Sequence, residues 1–193
     1  MKWYWVITSS NAVENPLVTD SDNFDGRESE FVLGKPFQES PSSLTLIASE
    51  TGNDGMPDDA LQNHLALPIL SGSLQHAMTA VAVRGAELVP VELFRPDRTR
   101  IDGYAILNVL HRRDALNRSK SDFDLFPDDY VLPQRRGMVR AIRRPVLDAR
   151  SILDTDFLRL NEYPFQLFVS DRVRGIFEKG RFTGWSFREV EVA

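Results

Sequence analysis

The chain has 193 residues, 23 of them Lys or Arg and 28 Asp or Glu, for a formal charge of −5, and it contains no cysteine. Disulfides, thiolate zinc sites, iron–sulfur clusters and cysteine nucleophiles are thereby excluded together. An apolar fraction of 42% with 26% charged residues describes a folded globular chain, long enough to bury a core without metals or cross-links. No stretch approaches the roughly 18 apolar residues of a membrane span, so the expectation is a cytoplasmic protein without a membrane partner.

The charge is unevenly spread. Residues 1–94 carry 4 basic and 13 acidic side chains, residues 95–150 carry 13 and 8, and residues 151–193 carry 6 and 7. Of the 23 basic residues 19 are Arg, the planar donor suited to carboxylate or phosphate. Asp122, Asp124, Asp128 and Asp129 lie inside the basic middle. That middle is expected to pair with the chain's own acids, and direct nucleic-acid binding is not expected.

In chain order, Trp3-Tyr4-Trp5-Val6-Ile7-Thr8 is too brief for a signal-peptide apolar region and reads as a first strand. Residues 9–30 form a polar stretch dense in carboxylates, Asp20, Asp22, Asp25, Glu28 and Glu30, expected as an exposed acidic loop. A calcium-loop register fails there, because aligning Gly26 with the turn glycine puts Val32 where the closing carboxylate belongs. Phe31–Phe37 and Ser43–Ala48 read as short β-type runs bounded by Pro36 and Pro41. A second Gly/Asp loop, Thr51–Pro57 with Asp54 in it, leads to a helix expected to start around Asp58.

Residues 69–91 align without a gap on residues 168–190 at a constant offset of 99. Ser71 matches Ser170, Leu74 Val173, Ala77 Ile176, Met78 Phe177, Gly85 Gly184, Leu88 Phe187 and Val91 Val190. Each copy reads as an apolar run, a Ser that caps a helix by accepting from its first turn, one buried helical stripe, a Gly, and a strand, Glu87–Phe94 or Trp185–Val192. Between the copies Gly103–His111 is apolar on both alternating faces and predicts a central strand covered on two sides, interrupted by Asn108. Leu125–Leu132 is loop-like, and short strands are expected at Met138–Ile142, Val146–Leu147, Phe157–Leu160 and Phe165–Val169. The whole predicts an α+β fold: a mixed, mainly antiparallel sheet with two or three helices and two similar Ser-capped helix–Gly–strand units.

Catalytic patterns are missing from the sequence. His64, His76 and His111 have no metal-ligand spacing. The phosphate-loop lookalike Gly175–Phe182 carries Arg181 and Phe182 where Lys and Ser or Thr are required. No metal, cofactor or catalytic residue is therefore expected. The pairs Asp58/Asp59 and Asp128/Asp129 read as solvated turn acids. A rival reading is a small-ligand enzyme with a pocket near Asn108, His111, Arg135 and Arg136 that takes an anionic substrate. A second rival is a partner-binding scaffold unrelated to toxins.

Five segments, Leu67–Leu74, Tyr104–Leu110 running into Asp114–Ser121, Phe157–Leu160, Leu167–Val173 and Thr183–Phe187, resemble, in this order, a family of immunity proteins that accompany bacterial polymorphic toxins. Asn117 stands where that family is expected to carry Asp. The resemblance spans about residues 60–190 and implies one domain over 1–193, with a more divergent 1–55 and a family-like core over 56–193. It further implies a cytoplasmic protein that binds and blocks a cognate toxin without chemistry of its own. Since toxins that attack nucleic acid are often basic, the acidic residues Asp20, Asp22, Asp25, Glu28, Glu30, Asp54, Asp58 and Asp59 are the expected toxin contacts.

Overall fold

The computed structural model of the chain describes residues 1–8, 18–22, 28–38, 44–48, 57–63 and 65–193. In chain order these form β1 (Trp3–Thr8), β2 (Val18–Asp22), α1 (Glu28–Val32), β3 (Thr45–Ala48), β4 (Ala60–Leu61), β5 (Ile69–Leu70), α2 (Gly72–Ala80), β6 (Ala86–Pro90) and β7 (Glu92–Phe94). There follow β8 (Arg100–Ile101), β9 (Ala105–Val109), β10 (Arg112–Arg113), β11 (Asp122–Leu125), β12 (Val139–Arg144), β13 (Val146–Leu147), β14 (Phe157–Leu160), β15 (Phe168–Ser170), α3 (Asp171–Gly180) and β16 (Trp185–Val192). The strands make a six-stranded sheet in the order β10-β14-β15-β1-β16-β13, two four-stranded sheets, β4-β5-β9-β6 and β2-β3-β7-β8, and a separate pair, β11-β12. Most pairings are antiparallel, while β3–β7, β10–β14 and β13–β16 are parallel. The α+β expectation holds, but only Ser71 caps its helix as expected: Ser170 gives its hydroxyl to Asp156 and makes no side-chain bond to the first turn of α3.

The repeated segment is one unit built twice. In the first copy β5 and β6 flank β9, both antiparallel to it, with α2 crossing between them. In the second copy β15 and β16 flank β1 in the same way, with α3 crossing. Ile69 faces Ile106 and Leu70 faces Ala105, just as Phe168 faces Trp5 and Val169 faces Tyr4. The other flank agrees: Ala86 faces Val109 and Pro90 faces Ala105, while Trp185 faces Thr8 and Glu189 faces Tyr4. Ala105–Val109 therefore correspond residue by residue to Tyr4–Thr8, although one inserted strand follows its unit and the other lies at the opposite end of the chain. The next strand outward matches too, for Ala60 pairs with Leu70 as Phe157 pairs with Val169, although β4 ends its sheet and β14 carries β10 beyond it.

The halves brace each other. Ala60 N–H donates to Thr183 O at 3.0 Å and Asp156 N–H to Arg84 O at 2.9 Å. The next residues, Gly184 and Gly85, both have φ of +96°, and a Cβ on Gly184 would lie 2.0 Å from the carbonyl oxygen of Ala60. Glycine is required where a left-handed φ and so close a backbone approach coincide. Between the halves, Leu74 and Met78 of α2 share a buried cluster with Val173 and Phe177 of α3, Tyr4 and Val6 of β1, and Leu107 and Val109 of β9. Each such fully buried side chain contributes about 1.5–3 kcal/mol. Phe177 also stacks on Trp185, with ring centroids 4.9 Å apart.

Several local expectations are corrected. The chain at Asp58–Leu61 is extended rather than helical, because Asn63 turns it back: its Oδ1 accepts from Leu67 N–H at 3.0 Å and its Nδ2 donates to Leu67 O at 2.6 Å. That reversal sets β4 beside β5. Phe31–Phe37 is not a strand, since α1 ends in a turn at Gly34, whose φ is +67°, and stacks Phe31 on Phe37. Glu87–Phe94 divides into β6 and β7, which belong to different sheets. Pro90 at the break has no N–H to continue the ladder. The 9–30 segment holds β2 and part of α1, while residues 9–17 and 23–27, like most of the Thr51–Pro57 loop, lie outside the described residues. The Phe165–Val169 strand starts only at Phe168, and β11 occupies Asp122–Leu125, immediately before and into the segment expected as loop.

Candidate functional site

The carboxylates expected to be solvated divide sharply. Asp59 and Asp156 each stand one residue before the strand that pairs with the first strand of its unit, β4 beside β5 and β14 beside β15. Ser71 Oγ donates to Asp59 Oδ1 at 2.7 Å, and Thr183 N–H to Asp59 Oδ2 at 3.0 Å. Ser170 Oγ donates to Asp156 Oδ1 at 2.7 Å, and Arg84 N–H to Asp156 Oδ2 at 3.0 Å. Each acid thus ties the serine of its own unit to the residue before the left-handed glycine of the other. Asp156 is fully buried and takes a further bond from Arg172 Nη1 at 2.8 Å. Asp58 is buried as well, and its carbonyl accepts from the Tyr104 hydroxyl at 2.9 Å. Burial first, then the charges of Asp59 and Asp58, push the Tyr104 phenol above its ordinary range. Asp58 and Asp59 are therefore part of the frame rather than solvated turn acids.

The remaining expected acids lie on β2, on α1 or beyond the described residues. Asp20 and Asp22 are on β2, and Glu28 is the first residue of α1. Glu30 is half-buried and pairs with Lys35 Nζ at 3.1 Å. Asp25 and Asp54 fall outside the described residues.

Asn108 and His111 are neighbours in the chain at the end of β9, but Arg135 and Arg136 are held elsewhere. Asn108 is 1% exposed, and its Nδ2 donates to Lys35 O at 2.7 Å and to Glu87 Oε1 at 2.8 Å. Glu87 Oε1 also accepts from Phe37 N–H at 2.8 Å. This network fastens the segment after α1 to the central strand of its sheet, a structural use of a buried amide. Burial, then the nearby Arg113 charge, hold the His111 imidazole below its usual value. Behind it Arg159 is 1% exposed and donates through Nη2 to Ala66 O at 2.7 Å and through Nη1 to Pro164 O. Desolvation first, then the charge of Arg112, bring the Arg159 guanidinium down to about 10.

Arg135 and Arg136 belong to an excursion between β11 and β12. These two strands pair only with each other among the described residues. Phe123, Val139 and Ile142 anchor the base in a cluster with Trp3, Leu116 and Leu158, and Arg143 clamps it by bonding both Asp122 and Asp124. The connecting segment is tightly organised: Phe126 N–H donates to Met138 O at 2.9 Å, Gly137 N–H to Phe126 O at 3.0 Å and Tyr130 N–H to Pro127 O at 3.0 Å. Pro133–Arg135 form a 3₁₀ turn. Phe126 and Tyr130 pack at 4.6 Å between centroids, the Arg135 guanidinium lies 5.8 Å from the Phe126 ring, and Arg136 Nε donates to Tyr130 O at 2.9 Å. Yet Val131 is 79% exposed, Met138 51%, and Leu125 and Leu132 about 40%. An ordered projection that leaves apolar side chains in water is a candidate interaction surface. The sequence reading missed it. Its signal was Tyr130-Val131-Leu132-Pro133, an apolar run without strand or helix period, set between acids and arginines.

These features divide the polar side chains between bracing and display: the paired aspartates and Asn108 hold the frame, and the β11–β12 excursion meets solvent. No curated protein matches the chain in sequence. The model of the immunity protein family (Imm11) matches residues 2–192, nearly the whole length, and the chain belongs to that family.

Proposed function

We propose that the chain neutralises a cognate bacterial toxin by binding it in the cytoplasm of the producing cell, with no chemistry of its own and without engaging nucleic acid. The observation that carries this reading is the family match, which spans both structural halves and the excursion between them. Immunity is then a matter of occupancy: a toxin whose working surface is covered is inactive for the lifetime of the complex, which is set chiefly by the dissociation rate.

Charge sets the encounter. Residues 1–94 hold 13 acidic and 4 basic side chains, and within that excess Asp20, Asp22, Asp25, Glu28, Glu30 and Asp54 are the proposed toxin contacts. An acidic region of this kind accelerates association with a basic toxin and weakens its hold on wrong partners, more than it adds affinity.

The test is co-expression with the toxin domain encoded next to this chain's gene. Growth should be restored, and the two proteins should leave a size-exclusion column together. The reading is wrong if the chain neither rescues growth nor co-elutes.

A further inference from the structure

We propose that the excursion from Asp122 to Arg144 is the arm that seats the toxin, its apolar tip entering an apolar cleft whose rim carries carboxylates. The inference rests on the toxin-binding reading above and assigns it a surface.

Three observations carry it. The first is exposure without disorder of contacts: Leu125, Val131, Leu132 and Met138 face solvent from a segment whose own backbone bonds, ring contacts and two prolines fix its shape. Such preorganisation removes most of the ordering cost that a flexible loop meets on binding. The second is the mode of attachment. A two-stranded ribbon is marginal alone, and this one is anchored at its base by Phe123, Val139 and Ile142 and clamped by Arg143. The tip therefore contributes little to the fold and is free for a partner.

The third is the chemistry beside the apolar residues. Arg143 is engaged by Asp122 and Asp124, whereas Arg135 and Arg136 have no carboxylate partner among the described residues. Their guanidiniums are nonetheless positioned, one near the Phe126 ring and the other tethered through Nε to Tyr130 O, with terminal N–H groups left to donate. A held guanidinium with open donors matches a carboxylate in bidentate fashion. Arg and large apolar side chains at the centre of a contact are also where binding energy concentrates.

The experiment is calorimetric titration of the full chain with the neighbouring gene's toxin domain. It compares wild type with Val131→Asp/Met138→Asp, with Arg135→Glu/Arg136→Glu, and with a control, Leu153→Asp/Phe165→Asp, which alters exposed apolar residues outside the arm. All three variants should melt close to wild type. The apolar-tip variant should raise Kd about 100-fold and the arginine variant about tenfold with a weaker salt dependence, and the control should leave Kd unchanged. Equal affinity for wild type and both arm variants overturns the arm, as does an equal loss in the control. So does a short DNA duplex that binds wild type and not the arginine variant, since the arm would then be a nucleic-acid surface. If wild type itself fails to bind the toxin domain, the toxin-binding reading falls and takes the arm's assignment with it.

Discussion

Ser170 gives its hydroxyl proton to Asp156, at 2.7 Å, and makes no side-chain bond to the first turn of the helix it precedes. Ser71, its counterpart, does both: it donates to Asp59 at 2.7 Å and accepts from Leu74 N–H at 3.3 Å. Asp171 stands at the start of α3, where a carboxylate favours the positive helix end. Asp156 is buried with three donors on it, from Ser170, Arg84 and Arg172. Removing it strands the Ser170 hydroxyl and the Arg84 N–H, while the half-exposed Arg172 guanidinium turns to water, so Asp156→Ala should cost about 2–4 kcal/mol. Asp59→Ala, at a partly exposed site, should cost about 1–2 kcal/mol. Urea unfolding checks the order, and equal losses would refute the difference in burial as its cause.

The two equivalent glycines should not tolerate alanine equally. Both sit at φ +96°, so both substitutions carry the left-handed penalty of about 1–2 kcal/mol. At Gly184 the new Cβ meets the Ala60 backbone, with its carbonyl oxygen 2.0 Å away, whereas at Gly85 the nearest atom is the Thr155 hydroxyl oxygen at 2.1 Å. The buried Thr155 side chain can yield at the cost of its bonds to Phe157, whereas the backbone of a paired strand cannot yield without breaking the ladder. Gly184→Ala should lower the melting temperature well beyond Gly85→Ala, and the reverse order would contradict the crossed bracing of the two halves.

Stability should fall between pH 7 and pH 5, and His111 should be a cause. Its folded value lies below 6.5, chiefly through burial and then through Arg113, so the unfolded chain takes up this proton first. The contribution of the neutral imidazole is complete above about 6.5 and is lost as pH falls from there to the folded value. Asp97, Asp122 and Asp124 are held below 3.8, by hydrogen bonds from Thr99 for the first and from Arg143 for the other two. Their contributions are lost only at lower pH. His111→Gln should therefore flatten the profile between pH 7 and 5 and leave the acid limb intact. An unchanged slope in that variant would assign the transition to another group.

What could be read in the sequence was whatever repeats or follows a period. The offset of 99 located both helices, both left-handed glycines and the strands beside them because the buried stripe and the glycine recur at fixed spacing. The Gly103–His111 segment declared a central strand because both its faces are apolar, and β9 is buried throughout. Long-range pairing left no such mark. Nothing local announces that β1 inserts between β15 and β16, or that Asp59 and Asp156 are one device used twice, since each bond joins residues distant in the chain. Asp58–Leu61 misled because a strand of two residues has no period to display, and Asn63 fixes its direction through side-chain bonds. The arm escaped for a different reason: its apolar residues face solvent, so they obey neither the helical nor the strand alternation by which buried residues are recognised.

The neutralisation proposed above is stoichiometric binding. It is tested most directly by measuring the residual activity of the neighbouring gene's toxin domain as this chain is added. With the toxin well above Kd, activity should fall in a straight line and vanish at a fixed small-integer molar ratio, and Val131→Asp/Met138→Asp should shift and flatten that line. Complete loss of activity at a small fraction of an equivalent, increasing with time of incubation, would mean that the chain turns over and would contradict neutralisation by binding alone.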